Sequence, residues 1–464
     1  MTEPNAPDGR HGRGHRAGIV KAYDIRGLVP EEFDAPAARL IGAAFADLTG
    51  APEIAVARDM RATSPALAEA FADGVRSRGA GVVDAGLGST DYLYFVSGRL
   101  GVPGAMFTAS HNPAGYNGIK LCRAGAVPVG EGSGLELLRE RLLAGSVPPP
   151  APTAPGPYRE ADLLEEYADH LRSLVDLRRG RPLTVVVDAG NGMAGLTVPL
   201  VLDDPSLDVV PLYFELDGTF PHHEADPMKP ANTADLRARV RAEGADLGLA
   251  FDGDADRCFV VDERGEPVSP SSVIALIAER ELARDPGSAI VHNLITSRSA
   301  VEVVKEAGGL PVRSRVGHSF VKALMREHDA VFGGEHSGHY YFRDFWFADT
   351  GMLAALHVLA ALGASPEPLS RLMAGYERLA SSGEINVTAA DPAAALAAVE
   401  RAFAAEEPGA AFDRLDGLTV TLPDGAWLNL RASQTEPVVR LNAEAPDPAR
   451  VTALTDRVLA LLGA

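Results

Sequence analysis

The sequence predicts an α/β protein of three successive mixed α/β domains followed by a smaller C-terminal α+β domain. Three observations predict it. Short β-branched runs alternate with amphipathic helical patterns through most of the chain, as βαβ units require. A proline-rich stretch, Val147 to Pro157, breaks that alternation and can sustain neither a helix interior nor a central strand. Beyond about residue 381 the order changes to helix, three strands and helix. The 464 residues, 46% hydrophobic, suffice for four domains with a core in each.

Residues 1–17 hold Pro, Gly, Arg, His11 and His15 but no apolar segment, so they read as a loose tail and not as a secretory signal. The first α/β domain, 18–155, has buried strands at Ile54 to Ala57 and Gly81 to Val83. Between them Ser64 is expected to cap a helix with Pro65 at its first position, and Leu67, Phe71 and Val75 form one apolar face. The second domain, 156–262, carries strands at Leu183 to Val187, Leu247 to Phe251 and Cys258 to Val261. A turn-rich stretch, Asp262 to Pro270, marks the next break. The third domain, 263–380, has strands at Ala289 to Val291 and Ala330 to Phe332 and an amphipathic helix from about Glu367. The fourth, 381–464, has helices at about Pro392 to Ala405 and from Pro448, with strands at Leu418 to Leu422, Ala426 to Leu430 and Val438 to Ala443 between them. No internal repeat is visible. The longest uncharged stretch, Gly351 to Pro366, falls short of the roughly 20 apolar residues that span a bilayer.

Forty-three basic against 63 acidic residues give a net charge of -20, which argues against nucleic-acid and anionic-membrane surfaces. An anionic substrate must then be met by local basic clusters. Cys122 and Cys258 are too few for a disulfide framework and lack metal-type spacing, so a reducing cytoplasm is expected.

Four motifs carry chemistry. In TASHNP, Thr108 to Pro113, Ser110 follows an apolar strand and is surrounded by turn formers, which places its hydroxyl on a loop at a strand's carboxyl end. The spacing is not G-x-S-x-G, so an esterase elbow is unsupported. In DGDADR, Asp252, Asp254 and Asp256 alternate along the chain, and three carboxylates so close suit a divalent cation such as Mg²⁺. An EF-hand is excluded because Arg257 stands where that loop needs Gly and the flanks read as strands. In GEHSGH, Gly334 to His339, Glu335 and Ser337 offer mixed donors and acceptors for sugar hydroxyls, and the spacing matches no zincin motif. RASQTEP, Arg431 to Pro437, offers Arg431, Ser433, Gln434 and Thr435 as a phosphate cradle, or else is a polar hairpin. A serine nucleophile beside a cation site points to phosphoryl transfer.

These four motifs, in this order, resemble the α-D-phosphohexomutase superfamily, most of all its bacterial phosphomannomutase and phosphoglucomutase branch. The resemblance extends to KAYDIRG (Lys21 to Gly27), ARDMR (Ala57 to Arg61), VDAGNGMAG (Val187 to Gly195), DGTFPHHEADP (Asp217 to Pro227) and VGHS (Val316 to Ser319). It implies a four-domain architecture ending in a TATA-box-binding-protein-like domain. It also implies a phosphoserine at Ser110, with a phosphoserine oxygen joining Asp252, Asp254 and Asp256 around Mg²⁺. Glu335, Ser337, His339 and Tyr23 match sugar contacts. Arg431, Ser433, Gln434, Thr435 and Arg440 match contacts to the non-reacting phosphate. Arg26, His111, Lys120, Arg257 and His318 complete the implied catalytic set, with Lys120, His318 and His339 as the alternatives for acid and base. Gln434 stands where the family more often has Asn or Gly, and Ala231-Asn232 where Glu-Asn is common. The implied reaction interconverts mannose 6-phosphate and mannose 1-phosphate, with a glucose or mannose 1,6-bisphosphate as activator and intermediate. The alternatives are a phosphoglucomutase or dual-specificity mutase, a sugar phosphatase using the same serine, and a silent sugar-phosphate binder. The expected partner is a hexose phosphate, not nucleic acid or membrane, and the expected state a monomer or small homo-oligomer.

Overall fold

The structure, a computed structural model, describes residues 18–147, 149, 154–177, 180–432 and 438–463. The N-terminal tail, part of the proline-rich stretch, and Ser433, Gln434 and Thr435 of the expected phosphate cradle lie outside the described residues. The chain divides into two compact units, Met1–Val268 with Ser337–Ser370, and Ser269–His336 with Arg371–Ala464.

The first unit contains two sheets flanked by helices. One orders its strands 25–28, 116–123, 104–107, 53–58, 81–87 and 158–160, with 127–128 pairing off 116–123. The four strands from 104–107 to 158–160 run parallel, whereas 25–28 and 116–123 are antiparallel to their neighbours, so the sheet is mixed. Phe71 on the helix Ser64–Arg76 meets Phe107 edge-on at 5.5 Å between centroids, which seats the predicted apolar face on the strand that leads to Ser110. The second sheet orders 267–268, 258–262, 247–251, 183–188 and 207–212. Val185, Val186 and Val187 are buried, as a parallel strand covered on both faces requires. The uncharged stretch forms the helix Gly351–Ala364, buried along nearly its whole length, so its apolar character serves a core. Among the described residues no helix is long and apolar enough to cross a membrane.

In the second unit, strands 310–314, 289–293 and 332–334 are parallel. The C-terminal part is an antiparallel sheet of 380–381, 438–445, 427–432, 418–421 and 411–413, with 385–388 also on 438–445. Helices Pro392–Glu406 and Pro448–Leu462 cover it through Phe403, Leu454 and Val458, packed on Val420, Leu428 and Leu441. Both helices begin with an Asp whose carboxylate accepts a first-turn backbone N–H, and both have Pro in the first turn.

Two sequence expectations change. Ser64 is not the N-cap: Thr63 holds that place, and Ser64 Oγ instead donates to Asp59 Oδ1 at 2.6 Å and accepts from Asn117 Nδ2 at 2.9 Å. The helix expected from Glu367 shortens to Leu369–Met373, because only Leu369 and Met373 are buried there and too few apolar contacts extend it. The turn-rich stretch after Asp262 forms a hairpin, with 267–268 antiparallel to 258–262, and the two compact units divide at its end, between Val268 and Ser269.

Candidate active site

Strand 104–107 is fully buried and delivers the chain to Thr108, whose Oγ1 accepts the Ser110 backbone N–H at 2.9 Å. Ser110 has φ 48, a left-handed conformation that a side chain adopts only under restraint. Arg61 supplies the restraint. Its Nη2 donates to the carbonyls of Ser110 and Asn112 at 2.9 and 2.6 Å, and its Nη1 to those of Pro113 and Tyr116 at 2.9 and 3.0 Å. Arg61 is itself buried, with Nε 3.3 Å from Asp59 Oδ2 and its guanidinium 5.0 Å from the centre of the Phe220 ring. In the sequence Arg61 stands out only as the last residue of ARDMR. Nothing local could have shown that its acceptors lie about fifty residues downstream.

The acidic loop is brought onto the serine loop by Gly253, where a Cβ would fall 2.5 Å from the Ser110 carbonyl oxygen. Ser110 Oγ donates to Asp252 Oδ2 at 2.7 Å and lies 3.2 Å from His111 Nδ1. Arg257 Nε donates to the same Asp252 oxygen at 2.9 Å, and its Nη2 reaches His111 Nδ1 at 2.5 Å. Lys120 Nζ donates to Asp254 Oδ2 at 2.7 Å and to Asp256 Oδ2 at 2.5 Å, while Thr90 Oγ1 donates to Asp254 Oδ2 at 2.5 Å. Arg26 reaches the loop through Asn112 Oδ1 at 2.5 Å. The structure therefore gathers Ser110, His111, Lys120, Asp252, Asp254, Asp256, Arg257 and Arg26 within one unit.

The charges respond to this packing. Burial pushes the Asp252 carboxyl up to about 7, against the pull of Arg257. Burial also acts to raise Asp254, but the Lys120 ammonium overrides it and holds that carboxyl well below the usual range. Burial works against the charge of Lys120, yet Asp254 and Asp256 keep its ammonium well above the ordinary value. The Arg257 guanidinium, aided by burial, holds His111 well below its usual value, so its imidazole is neutral.

Asp252, Asp254 and Asp256 offer carboxylate oxygens within 4.8 Å of one another. Asp254 Oδ1 and Asp256 Oδ1 are buried and have no hydrogen-bond partner among the described residues. Buried carboxylate oxygens are costly without compensation, so the donor set fits a hard divalent cation. A second group, Asp256, His339 and Asp349, sits beside it, with His339 Nε2 3.7 and 3.9 Å from the two carboxylates and Nδ1 3.0 Å from Ser337 Oγ.

Tyr23 lies in the turn before strand 25–28 of the same unit. The second unit carries the other predicted residues. His318 opens the helix His318–Glu327. Buried Glu335 accepts from the Gly317 N–H at 2.9 Å and from Asn293 Nδ2 at 3.2 Å, which ties the GEHSGH loop to the His318 loop. His336 is engaged with Ser271 Oγ at 2.9 Å. Arg431 lies 3.9 Å from Glu384 and 4.0 Å from Asp416, and Arg440 lies 3.7 Å from Glu384.

Four family models match the chain, all of phosphoglucomutase/phosphomannomutase domains: alpha/beta/alpha domain I at residues 17–139, domain II at 165–265, domain III at 269–379 and the C-terminal domain at 384–461. A phosphomannomutase of Salmonella montevideo is 41% identical over 95% of this chain and 98% of its own length. One of Escherichia coli K12 is 40% identical over the same shares. The crystal structure of a phosphoglucomutase/phosphomannomutase family protein from Burkholderia thailandensis superposes with a TM-score of 0.85 at 34% identity, covering 96% of this chain and 97% of that one.

Proposed function

The chain belongs to the phosphoglucomutase/phosphomannomutase family, and from that premise we propose that it is a phosphomannomutase working through a phosphoserine at Ser110. It is an intramolecular phosphotransferase, an isomerase of hexose phosphates. The observation that carries the serine's role is the placement of Ser110 Oγ, on a left-handed loop and 2.7 Å from an Asp of the cation-type cluster.

In the forward direction the bond from phosphorus to Ser110 Oγ breaks as one forms to O1 of mannose 6-phosphate. The resulting 1,6-bisphosphate reorients, and Ser110 Oγ recovers a phosphoryl group from O6. The proton released by O1 is replaced by one delivered to O6, so the cycle is neutral. A Mg²⁺ held by Asp252, Asp254 and Asp256 supplies charge neutralisation on the phosphoryl oxygens. Lys120 enters as an ammonium and Arg257 as a guanidinium, and both add positive charge where the phosphoryl group passes. Neutral His111, kept so by Arg257, lies 3.2 Å from the serine oxygen and helps to place the Arg257 guanidinium beside it. Glu335 and Ser337 are assigned to sugar hydroxyls, Arg431 and Arg440 to the non-reacting phosphate. The two cysteines are buried and not joined in a disulfide, which supports a reducing compartment.

The test is a coupled assay of mannose 1-phosphate against glucose 1-phosphate with a trace of bisphosphate. A higher kcat/KM for the mannose substrate is expected. Equal or greater use of glucose 1-phosphate would make the enzyme a dual-specificity mutase or a phosphoglucomutase, and steady release of free phosphate would make it a phosphatase.

Two further outcomes test the assignments. Asp254→Asn removes a charge from the cation set and should lower Mg²⁺ affinity about tenfold or more, read by calorimetry, with turnover partly restored by excess Mg²⁺. Unchanged affinity, or full wild-type activity under a strong chelator, would refute the cation assignment. Arg431→Ala removes a charge-assisted contact of roughly 1.5–3 kcal/mol, so kcat/KM should fall about 10- to 100-fold. An unaltered kcat/KM would make its loop a plain hairpin.

A further inference from the structure

The second unit holds a cavity of about 520 Å³ that the mutase reading leaves unused. It lies between the helix Arg298–Glu306 with strands 289–293 and 310–314 on one side, and strands 418–421 and 427–432 on the other. Its size falls in the range of about 300–1,000 Å³ common for small-molecule sites.

The lining is cationic although the chain as a whole is strongly acidic. Arg298 is held in place by neutral acceptors, with Nη2 donating to Thr421 Oγ1 at 2.6 Å and Nη1 to the Gly425 carbonyl at 3.3 Å. Its guanidinium lies 5.4 Å from the centre of the Trp427 ring, and the indole N–H of Trp427 is fixed on Glu444 at 2.9 Å. Lys305 lines the same cavity and forms no side-chain hydrogen bond or ion pair among the described residues. Of the remaining charged lining groups, Arg313 is paired with Asp413, and Glu302 lies 3.8 Å from Arg378. The Lys305 ammonium is thus left without a partner among the described residues, on a wall it shares with the fixed Arg298 guanidinium.

The second observation is His292. It is 7% exposed, and its Nδ1 lies 3.0 Å from the Asn293 carbonyl, to which it must donate. Nε2 is therefore an acceptor, and it has no partner among the described residues. Burial pushes this imidazole down to about 4, so the acceptor persists at neutral pH. An open acceptor on a cavity wall can take a donor from a ligand, and a hydroxyl supplies one. Cations for an anion and an acceptor for a hydroxyl together define the ligand chemistry.

We propose that this cavity binds a small, hydroxyl-bearing phosphate monoester at a site separate from the hexose phosphate site. Trp427 begins the strand that carries Arg431 four residues later, roughly 13 Å away at the usual rise per residue.

The experiment is calorimetric titration of the full-length protein with ribose 5-phosphate and, separately, with AMP. Saturable binding of either probe is expected, and which of the two binds distinguishes a sugar phosphate from a nucleotide source. Lys305→Glu, at an exposed position, should weaken that binding by at least about tenfold while leaving mutase turnover unchanged. Arg431→Ala should leave it intact. Failure of both probes to bind at millimolar concentration would overturn the proposal. So would binding that Arg431→Ala abolishes and Lys305→Glu leaves alone, because the probes would then occupy the hexose site. Neither readout depends on turnover, so the mutase reading stands or falls separately.

Discussion

Ser110→Ala is expected to abolish mutase turnover, by at least about 10⁴-fold, while the protein remains folded. The hydroxyl donates a hydrogen bond to Asp252, but the loop is held by its backbone carbonyls on Arg61, and these survive the change. Mass spectrometry of the wild-type protein should find a phosphoryl group on the peptide containing Ser110, and none on that peptide in the variant. The result that would sink the nucleophile assignment is wild-type turnover in Ser110→Ala, or a phosphoryl group located elsewhere in the turnover-competent enzyme.

Arg61→Met should have the largest effect on stability. It removes four donors from the carbonyls of residues 110, 112, 113 and 116 and leaves the Asp59 carboxylate buried without its cation. Breaking a buried pair on one side costs about 3–5 kcal/mol, to which the lost hydrogen bonds add. A marked fall in melting temperature is expected, together with loss of turnover, since the left-handed backbone at Ser110 loses its restraint. Asp59→Asn in the same background should recover part of the stability, because the uncompensated charge goes with it, but not the turnover. Recovery of both would show that Arg61 merely balances Asp59. An unchanged melting temperature in Arg61→Met would remove the clamp altogether.

The contrast between these two residues marks what the sequence could disclose. Ser110 and the three aspartates were legible because their chemistry is written within six residues in each motif, and turn formers or alternating carboxylates declare themselves locally. The strands around them were legible for the same reason, from Leu183 to Val187 and Leu247 to Phe251. Arg61 was not, because its function is to bond carbonyls presented by a loop some fifty residues away, and backbone acceptors have no sequence signature. Ser64 misled in the opposite way: a serine before a proline is a good cap by local rule, but buried Asp59 offers its hydroxyl a stronger acceptor. The helix expected after Glu367 failed because its apolar spacing was real but had little to pack against. His292 and Lys305 drew no notice at all, since a cavity wall is assembled from separate elements.

The meeting of Ser110 with the acidic loop has a consequence for how the protein is made. The carboxylates arrive 142 residues after the serine, which at about 5–20 residues per second is a delay on the order of ten seconds during synthesis. Throughout that interval Lys120 lacks its counter-ions and Gly253 is not yet present to close on the Ser110 carbonyl. A nascent first domain therefore presents Ser110 without the carboxylate and guanidinium that pack on its hydroxyl. On the proposed function, competence for phosphoryl transfer waits on the docking of the second sheet.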